Sequence, residues 1–104
     1  MVIKRYKLRV LPLFEDDLNE AVDYIALRLK KPVAAENLVN AVQEAIRERT
    51  TCAEAFEAYH SMQERQYPYY RIHVKNYIVF YVVIGDVMEV RRLIYNRRNL
   101  PEQV

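Results

Sequence analysis

The chain has 104 residues, of which 52% are hydrophobic and 29% charged, and its formal net charge is +2. This length and composition predict a single globular domain over residues 1–104 and exclude a disordered tail or a fibre. The only cysteine, Cys52, cannot form an intramolecular disulfide, and neither a membrane span nor a secretion signal is evident, which predicts a cytoplasmic protein.

The first half of the chain predicts one strand followed by two helices. Residues 3–11 predict a strand because apolar and basic residues alternate. Apolar residues then recur every three or four positions over residues 14–29 and again over residues 33–49, which predicts two amphipathic helices. The break between them at Pro32 is so short that the helices should form an antiparallel hairpin. Residues 50–66 have weak periodicity and predict a connection with a helical turn around residues 53–56.

The last third of the chain predicts three strands. Residues 69–74 alternate between apolar and polar side chains, residues 77–84 are apolar throughout, and residues 87–95 form another strand. Two tight turns separate these strands, at Lys75-Asn76 and Gly85-Asp86. A strand that is apolar on both faces is usually central in its sheet, which is the position expected for residues 77–84. Residues 96–104 predict a short polar tail.

The resulting order, β-α-α-β-β-β, predicts an α+β fold. The helix hairpin should cover one face of an antiparallel sheet, because its apolar stripe has nowhere else to pack. Tyr24 and Tyr81 are expected in that core. On the second strand the core side chains should be Tyr70, Ile72 and Val74. The opposite face, which we call the outer face, should carry Arg71, His73 and Lys75, and it becomes the candidate for function.

Two arginines of the last strand have different predicted roles. Arg92 should share a face with the apolar residues Met88, Val90 and Ile94, which predicts a buried or half-buried charge that needs a carboxylate partner from the acidic helix region. Arg91 shares its predicted face with Glu89 and Tyr95 and should form a surface ion pair with Glu89. The densest candidate site follows the strand and consists of Tyr95, Arg97 and Arg98. An aromatic ring beside guanidinium groups can stack a base and hold phosphates, or hold a carboxylate-rich peptide.

Metal and cofactor chemistry are not predicted. Neither His60 nor His73 has a second histidine, cysteine or carboxylate at metal-ligand spacing, so we expect no zinc site. Gly85 is the only glycine, which excludes a glycine-rich phosphate loop. His60 is assigned no role, whereas His73 is a candidate acid or base, as histidine side chains often are.

The charge is divided unevenly along the chain. Residues 12–64 carry five basic and eleven acidic side chains, a net charge of −6. Residues 1–11 and 65–104 together carry eleven basic and three acidic side chains, a net charge of +8, so the whole chain has +2. If the two ends meet in the fold, they create a basic face that suits phosphates or an acidic protein partner.

The element order and two segments resemble the RelE/ParE family of toxins from bacterial type II toxin–antitoxin systems, also called plasmid stabilisation proteins. The segments are YYRIHVKNYIVFYVV (69–83) and MEVRRLIYNRRNL (88–100), and the resemblance covers essentially the whole chain. It implies a protein that inhibits growth and is silenced by a cognate antitoxin, which contributes a flexible acidic segment. A non-toxic partner of an antitoxin is a further alternative.

The family includes two activities, and the resemblance leaves both open. RelE-like members cut mRNA on the ribosome without a metal, and ParE-like members poison DNA gyrase. The ribonuclease pattern implies the catalytic residues Arg71, His73, Tyr95 and Arg98. The residues implied to bind the target are Lys75, Arg91 and Arg97. Ile78 occupies the position of a catalytic arginine in RelE, and the sequence up to Val104 lacks the C-terminal helix that supplies RelE with a tyrosine, so a ParE-like target is favoured.

Overall fold

The helices and strands follow the predicted order. A computed structural model of the chain describes residues 5–55 and 67–96. The elements are β1 (Lys7–Val10), α1 (Pro12–Asp23), a π-helical segment (Tyr24–Arg28), α2 (Pro32–Arg49), β2 (Tyr70–Val74), β3 (Tyr77–Ile84) and β4 (Val87–Tyr95). The predicted α+β class is therefore confirmed. The turn near the start of the connection after α2 is present where it is described, with the Ala55 N–H donating to the Cys52 carbonyl over 3.1 Å.

The four strands form a mixed sheet in the order β1-β4-β3-β2. The pairs β2–β3 and β3–β4 are antiparallel, but β1 runs parallel to β4. The expectation of a wholly antiparallel sheet was wrong in this detail. The helix hairpin carries the chain away and back again, so β2 starts at the same end of the sheet as β1. Two β-turns then reverse the chain twice, which leaves β4 running in the direction of β1.

The first helix is shorter than predicted, because it changes type before the hairpin turn. Pro12 occupies the first turn of α1, where its missing N–H costs no hydrogen bond. From Tyr24 the turns widen, and the Leu29 N–H donates to the Tyr24 carbonyl over 3.0 Å, a five-residue spacing. Lys30 then adopts a left-handed conformation with φ of 56°, which ends the segment before α2.

The core lies between the helix hairpin and one face of the sheet, as predicted. Leu38 and Val42 of α2 are each only 1% exposed. They belong to the same apolar cluster as buried side chains of the central strands, namely Val79, Tyr81, Met88 and Val90. Full burial of a side chain of this size contributes about 1.5–3 kcal/mol relative to exposure, so this interface is the main source of stability.

Hydrogen bonds attach the end of α2 to both β1 and the centre of the sheet. The Tyr6 N–H donates to the Thr50 carbonyl over 2.8 Å, and the Tyr6 hydroxyl donates to the Glu54 carboxylate over 2.5 Å. The bond to Glu54 and burial raise the pKa of Tyr6 to about 12. The buried Tyr81 hydroxyl accepts from Arg49 over 2.9 Å and donates to the Ala53 carbonyl over 2.7 Å. Residues 50–54 are thereby held against the sheet.

The two β-turns have the same backbone pattern but different residues at the critical position. Gly85 has φ of 62° and Lys75 has φ of 54°. Gly85→Ala is expected to lower the free energy of unfolding by about 1 kcal/mol, because an L-residue is strained there although nothing lies within 4 Å of the added Cβ. Lys75→Gly should change it in the opposite direction for the same reason. Urea unfolding of both variants checks the pair, and shifts of the same sign would contradict the backbone explanation.

Candidate functional site

A β-bulge in β4 determines which of its side chains reach each face of the sheet. Tyr81 pairs with Val90 and Phe80 pairs with Arg92, so Arg91 is an extra residue without a partner on β3. A bulge of this kind breaks the regular alternation of side chains. Side chains beyond the bulge therefore lie on the opposite face from the one that alternation along the sequence predicts.

The bulge corrects two predictions about β4. Arg92 does not share a face with Met88 and Val90, both of which are fully buried under the helices. Arg91 does not share a face with Tyr95. Tyr95 pairs with Tyr77, which lies on the helix face together with Val79, so Tyr95 also faces the helices. Both predictions were wrong because they assumed an uninterrupted strand.

The basic candidates on β2 lie on the outer face, as predicted. Arg71 lies opposite Phe80, and His73 lies opposite Ile78. Both basic side chains are exposed, whereas the neighbouring Ile72 is buried. Alternate residues of a strand are about 7 Å apart, so the two side chains form one short basic row. Lys75 follows them in the exposed turn at the end of the strand.

A carboxylate on the outer face is held between two arginines. Glu89 accepts a hydrogen bond from Arg9 over 3.0 Å and one from Arg91 over 2.8 Å, and its side chain is only 8% exposed. Burial by itself would raise the pKa of Glu89, but the hydrogen bonds and charges of the two arginines hold it below its usual value. The Arg91 guanidinium also lies 5.9 Å from the ring of Tyr69, which packs edge-on against Phe80. The predicted Glu89–Arg91 pair is confirmed, but its predicted position at the surface was wrong, because Glu89 is buried.

The predicted carboxylate partner of Arg92 is Asp17 of α1. The Asp17 carboxylate accepts from Arg92 Nε over 2.7 Å and from Nη2 over 3.1 Å, and it also accepts from the Leu93 N–H over 3.0 Å. Burial opposes ionisation, but these hydrogen bonds lower the pKa of Asp17. β1 ends at Val10 and does not extend alongside Leu93. The Asp17 carboxylate therefore accepts the hydrogen bond that a longer β1 would accept from β4. Arg92 therefore has a structural ion pair, as the sequence indicated.

Tyr95 belongs to a group of tyrosines at the end of the sheet. Its ring lies 5.3 Å from that of Tyr77, edge to face. Burial and the nearby hydroxyls of Tyr95 and Tyr24 raise the pKa of Tyr77. Tyr24 is 50% exposed, so its predicted place in the core was wrong, because the π-helical segment begins there at the end of the sheet. Tyr81, by contrast, is fully buried as expected.

The structure thus separates the candidate catalytic residues that it describes. Arg71 and His73 lie on the outer face, and Tyr95 lies on the helix face. Arg97 and Arg98 lie outside the described residues, as do His60 and the predicted polar tail. The role of Arg9 was not predicted, because nothing in the local sequence indicates a contact with Glu89, 80 residues further along the chain.

Neither metal ligation nor membrane insertion is indicated by the described part of the chain. Within residues 5–55 and 67–96, no group of three or more histidine, cysteine or acidic side chains is placed to hold a metal ion. In the same residues, no helix is both long enough and apolar enough to cross a membrane.

Comparison with known proteins identifies the family. The family described as "ParE toxin of type II toxin-antitoxin system, parDE" matches residues 8–100, so the chain belongs to the ParE toxin family. A solved structure titled "Chromosomal ParDE TA system from P. aeruginosa" has a similar fold, with a TM-score of 0.70 and 16% sequence identity. The match covers 88% of this chain and 97% of that chain. A search of curated protein sequences found no significant match.

Proposed function

We propose that this chain inhibits cell growth in the ParE manner, by acting on DNA gyrase, and that a cognate antitoxin silences it. The observation that carries the choice of target is the position of Tyr95 on the helix face, away from Arg71 and His73. Metal-independent cleavage of RNA needs an acid, a base and cations around one phosphate. The separation of these side chains supports inhibition by binding rather than by cleavage.

The pairing of two further arginines supports the same proposal. Arg91 is bonded to Glu89, and Arg92 is bonded to Asp17. The carboxylate beside each guanidinium offsets part of its positive charge, so either arginine would attract a phosphate less strongly than an arginine without such a neighbour. These two arginines are therefore better suited to shaping the outer face than to stabilising a transition state.

The proposal of an antitoxin partner is supported by the surface of the helix hairpin. Three large apolar side chains near its tip are strongly exposed: Tyr24 at 50%, Leu27 at 71% and Val33 at 69%. Apolar residues clustered on a surface favour a protein partner. Basic residues flank them at the tip, namely Arg28, Lys30 and Lys31. An acidic segment with apolar residues would match both properties.

The alternative function is ribosome-dependent cleavage of mRNA, and one observation favours it. Arg71 and His73 are exposed side by side on the outer face, where a base and a cation could contact the same phosphodiester. In this alternative Arg71, His73, Tyr95 and Arg98 are catalytic, and Lys75, Arg91 and Arg97 bind the RNA.

Induced expression of the chain without an antitoxin tests the proposal. We expect growth arrest with DNA breaks trapped on gyrase and intact mRNA, and the purified chain should inhibit supercoiling by purified gyrase. Arg71→Ala should leave the arrest unchanged, as should the control Arg47→Ala on the exposed face of α2. Codon-phased mRNA cuts that Arg71→Ala alone abolishes would replace gyrase inhibition with the ribonuclease function. No arrest by a folded, soluble chain would contradict toxicity itself.

A further inference from the structure

The outward edge of β1 has backbone groups that form no hydrogen bond with any described residue. The Lys7 N–H donates to the Asp86 carbonyl over 2.8 Å, and the Leu11 N–H donates to the Val90 carbonyl over 3.0 Å. In a parallel pair alternate residues bond to the same neighbour, so Lys7, Arg9 and Leu11 face β4. The N–H and C=O groups of Leu8 therefore point away from the sheet, as do those of Val10. No hydrogen bond within residues 5–55 and 67–96 occupies the N–H groups of these two residues.

The two edges of the sheet differ in this respect. On the β2 edge, the guanidinium of Arg49 donates to the Arg71 carbonyl over 3.2 Å. At the start of β1, the outward Tyr6 N–H is bonded to Thr50 at the end of α2. The unpaired part of the β1 edge therefore begins at Leu8, beyond the hydrogen bond between Tyr6 and Thr50.

The side chains of this edge have a simple alternating chemistry. Arg5, Lys7 and Arg9 occupy alternate positions and are all exposed. The ion pair between Lys7 and Asp86 is weak, because the charged atoms are 3.8 Å apart and the Lys7 side chain is 77% exposed. Leu8 points to the other face of the sheet and is 49% exposed. The edge is thus basic on the outer face and apolar on the helix face.

We propose that the β1 edge binds an extended acidic segment, which adds to the sheet as a fifth strand. An acidic residue of the segment would lie beside Lys7, and the apolar residue next to it would cover Leu8. The antitoxin supplies this segment if the function proposed above is correct. The strand addition itself requires only the described edge.

A second copy of this chain does not fit the same edge. Antiparallel pairing of two β1 strands about Leu8 would set Lys7 of one copy directly opposite Arg9 of the other. Like charges in directly opposed positions destabilise a strand pair, and basic residues on edge strands are a common protection against self-association. The charges therefore favour an acidic partner over a second copy.

Amide exchange measured by NMR on the purified full chain tests the proposal. The probe is a short peptide of alternating glutamate and valine, and the control is the matching peptide of alternating lysine and valine. We expect the acidic peptide to slow exchange of the Leu8 and Val10 N–H groups while Arg9, already paired with β4, changes little. Protection confined to another part of the chain, or equal effects of both peptides, would overturn the proposal.

A pair of charge-reversal variants separates this edge from general electrostatic attraction. Lys7→Glu should weaken binding of the acidic peptide about threefold. Arg47→Glu makes the same charge change on the exposed face of α2, outside the sheet, and should have little effect on this binding. Equal losses in both variants would contradict a site on β1. Because peptide binding does not depend on toxicity, its failure is distinguishable from failure of the growth experiment.

Discussion

Replacing Asp17 with alanine is expected to lower the free energy of unfolding by about 2–3 kcal/mol. The carboxylate accepts two hydrogen bonds from Arg92 and one from the Leu93 N–H, and its side chain is only 13% exposed. The substitution leaves the guanidinium without its counterion and the edge of β4 without its acceptor. Urea unfolding at neutral pH measures the loss.

The effect of this substitution should depend on pH in a defined direction. Burial opposes ionisation of Asp17, but the hydrogen bonds from Arg92 and Leu93 lower its pKa below the unfolded value of 3.8. A carboxylate with a lowered pKa stabilises the fold fully above the unfolded value, and this contribution is lost as the pH falls through the folded value. The difference between the wild-type chain and Asp17→Ala should therefore be constant near neutral pH and shrink below about pH 4.

Asp16→Ala is the matched control for this prediction. Asp16 precedes Asp17 in the same helix and is exposed to solvent. Its replacement should change the free energy of unfolding by less than about 0.5 kcal/mol. Equal losses in the two variants would indicate a general effect of negative charge near the start of α1, and the edge contact would then not be the cause.

Replacing Tyr81 with phenylalanine is expected to lower the free energy of unfolding by about 1.5–2 kcal/mol. The ring remains in the core, but the buried hydroxyl no longer accepts from Arg49 or donates to the Ala53 carbonyl. Both groups then lose a partner in a region that is largely shielded from water. The loss should also loosen residues 50–54, which amide exchange at the Cys52 and Ala55 N–H groups would detect.

Tyr24→Phe provides the comparison for the Tyr81 variant. It removes the same hydroxyl from a ring that is 50% exposed, where water can replace any hydrogen bond. Its free energy of unfolding should lie within about 0.5 kcal/mol of the wild-type value. A stable Tyr81→Phe variant would show that the hydroxyl is not needed to attach the end of α2 to the sheet.

Regular periodicity explains the parts of the fold that the sequence predicted. β3 and β4 have the predicted bounds, because continuous apolar residues and the turns at Lys75 and Gly85 define them locally. The second helix begins one residue before the predicted range, at Pro32, and has the predicted end. The π-helical segment was not predicted. A change in helix type alters the spacing of backbone hydrogen bonds, but it changes the spacing of apolar residues too little to be detected in the sequence.

The candidate site was predicted only where it depends on local alternation. The exposure of Arg71 and His73 follows from the pattern of β2 alone. The partner of Arg92 was predicted in kind, because a half-buried charge requires a carboxylate and the first helix is acidic. The faces of Arg92 and Tyr95 were predicted incorrectly. A bulge is defined by the pairing between two strands, and the sequence of neither strand indicates it.

The bulge at Arg91 also has a consequence for comparing relatives of different length. Deleting the codon for Arg91 would leave the later residues of β4 opposite their present partners, since Arg92 already pairs with Phe80 directly after the Val90–Tyr81 pair. The extra residue affects the pairing at one point only, and its deletion would remove the contacts of Arg91 to Glu89 and to the ring of Tyr69. In an alignment, a gap in a shorter relative therefore belongs at Arg91. Any other placement would equate residues that point inward with residues that point outward.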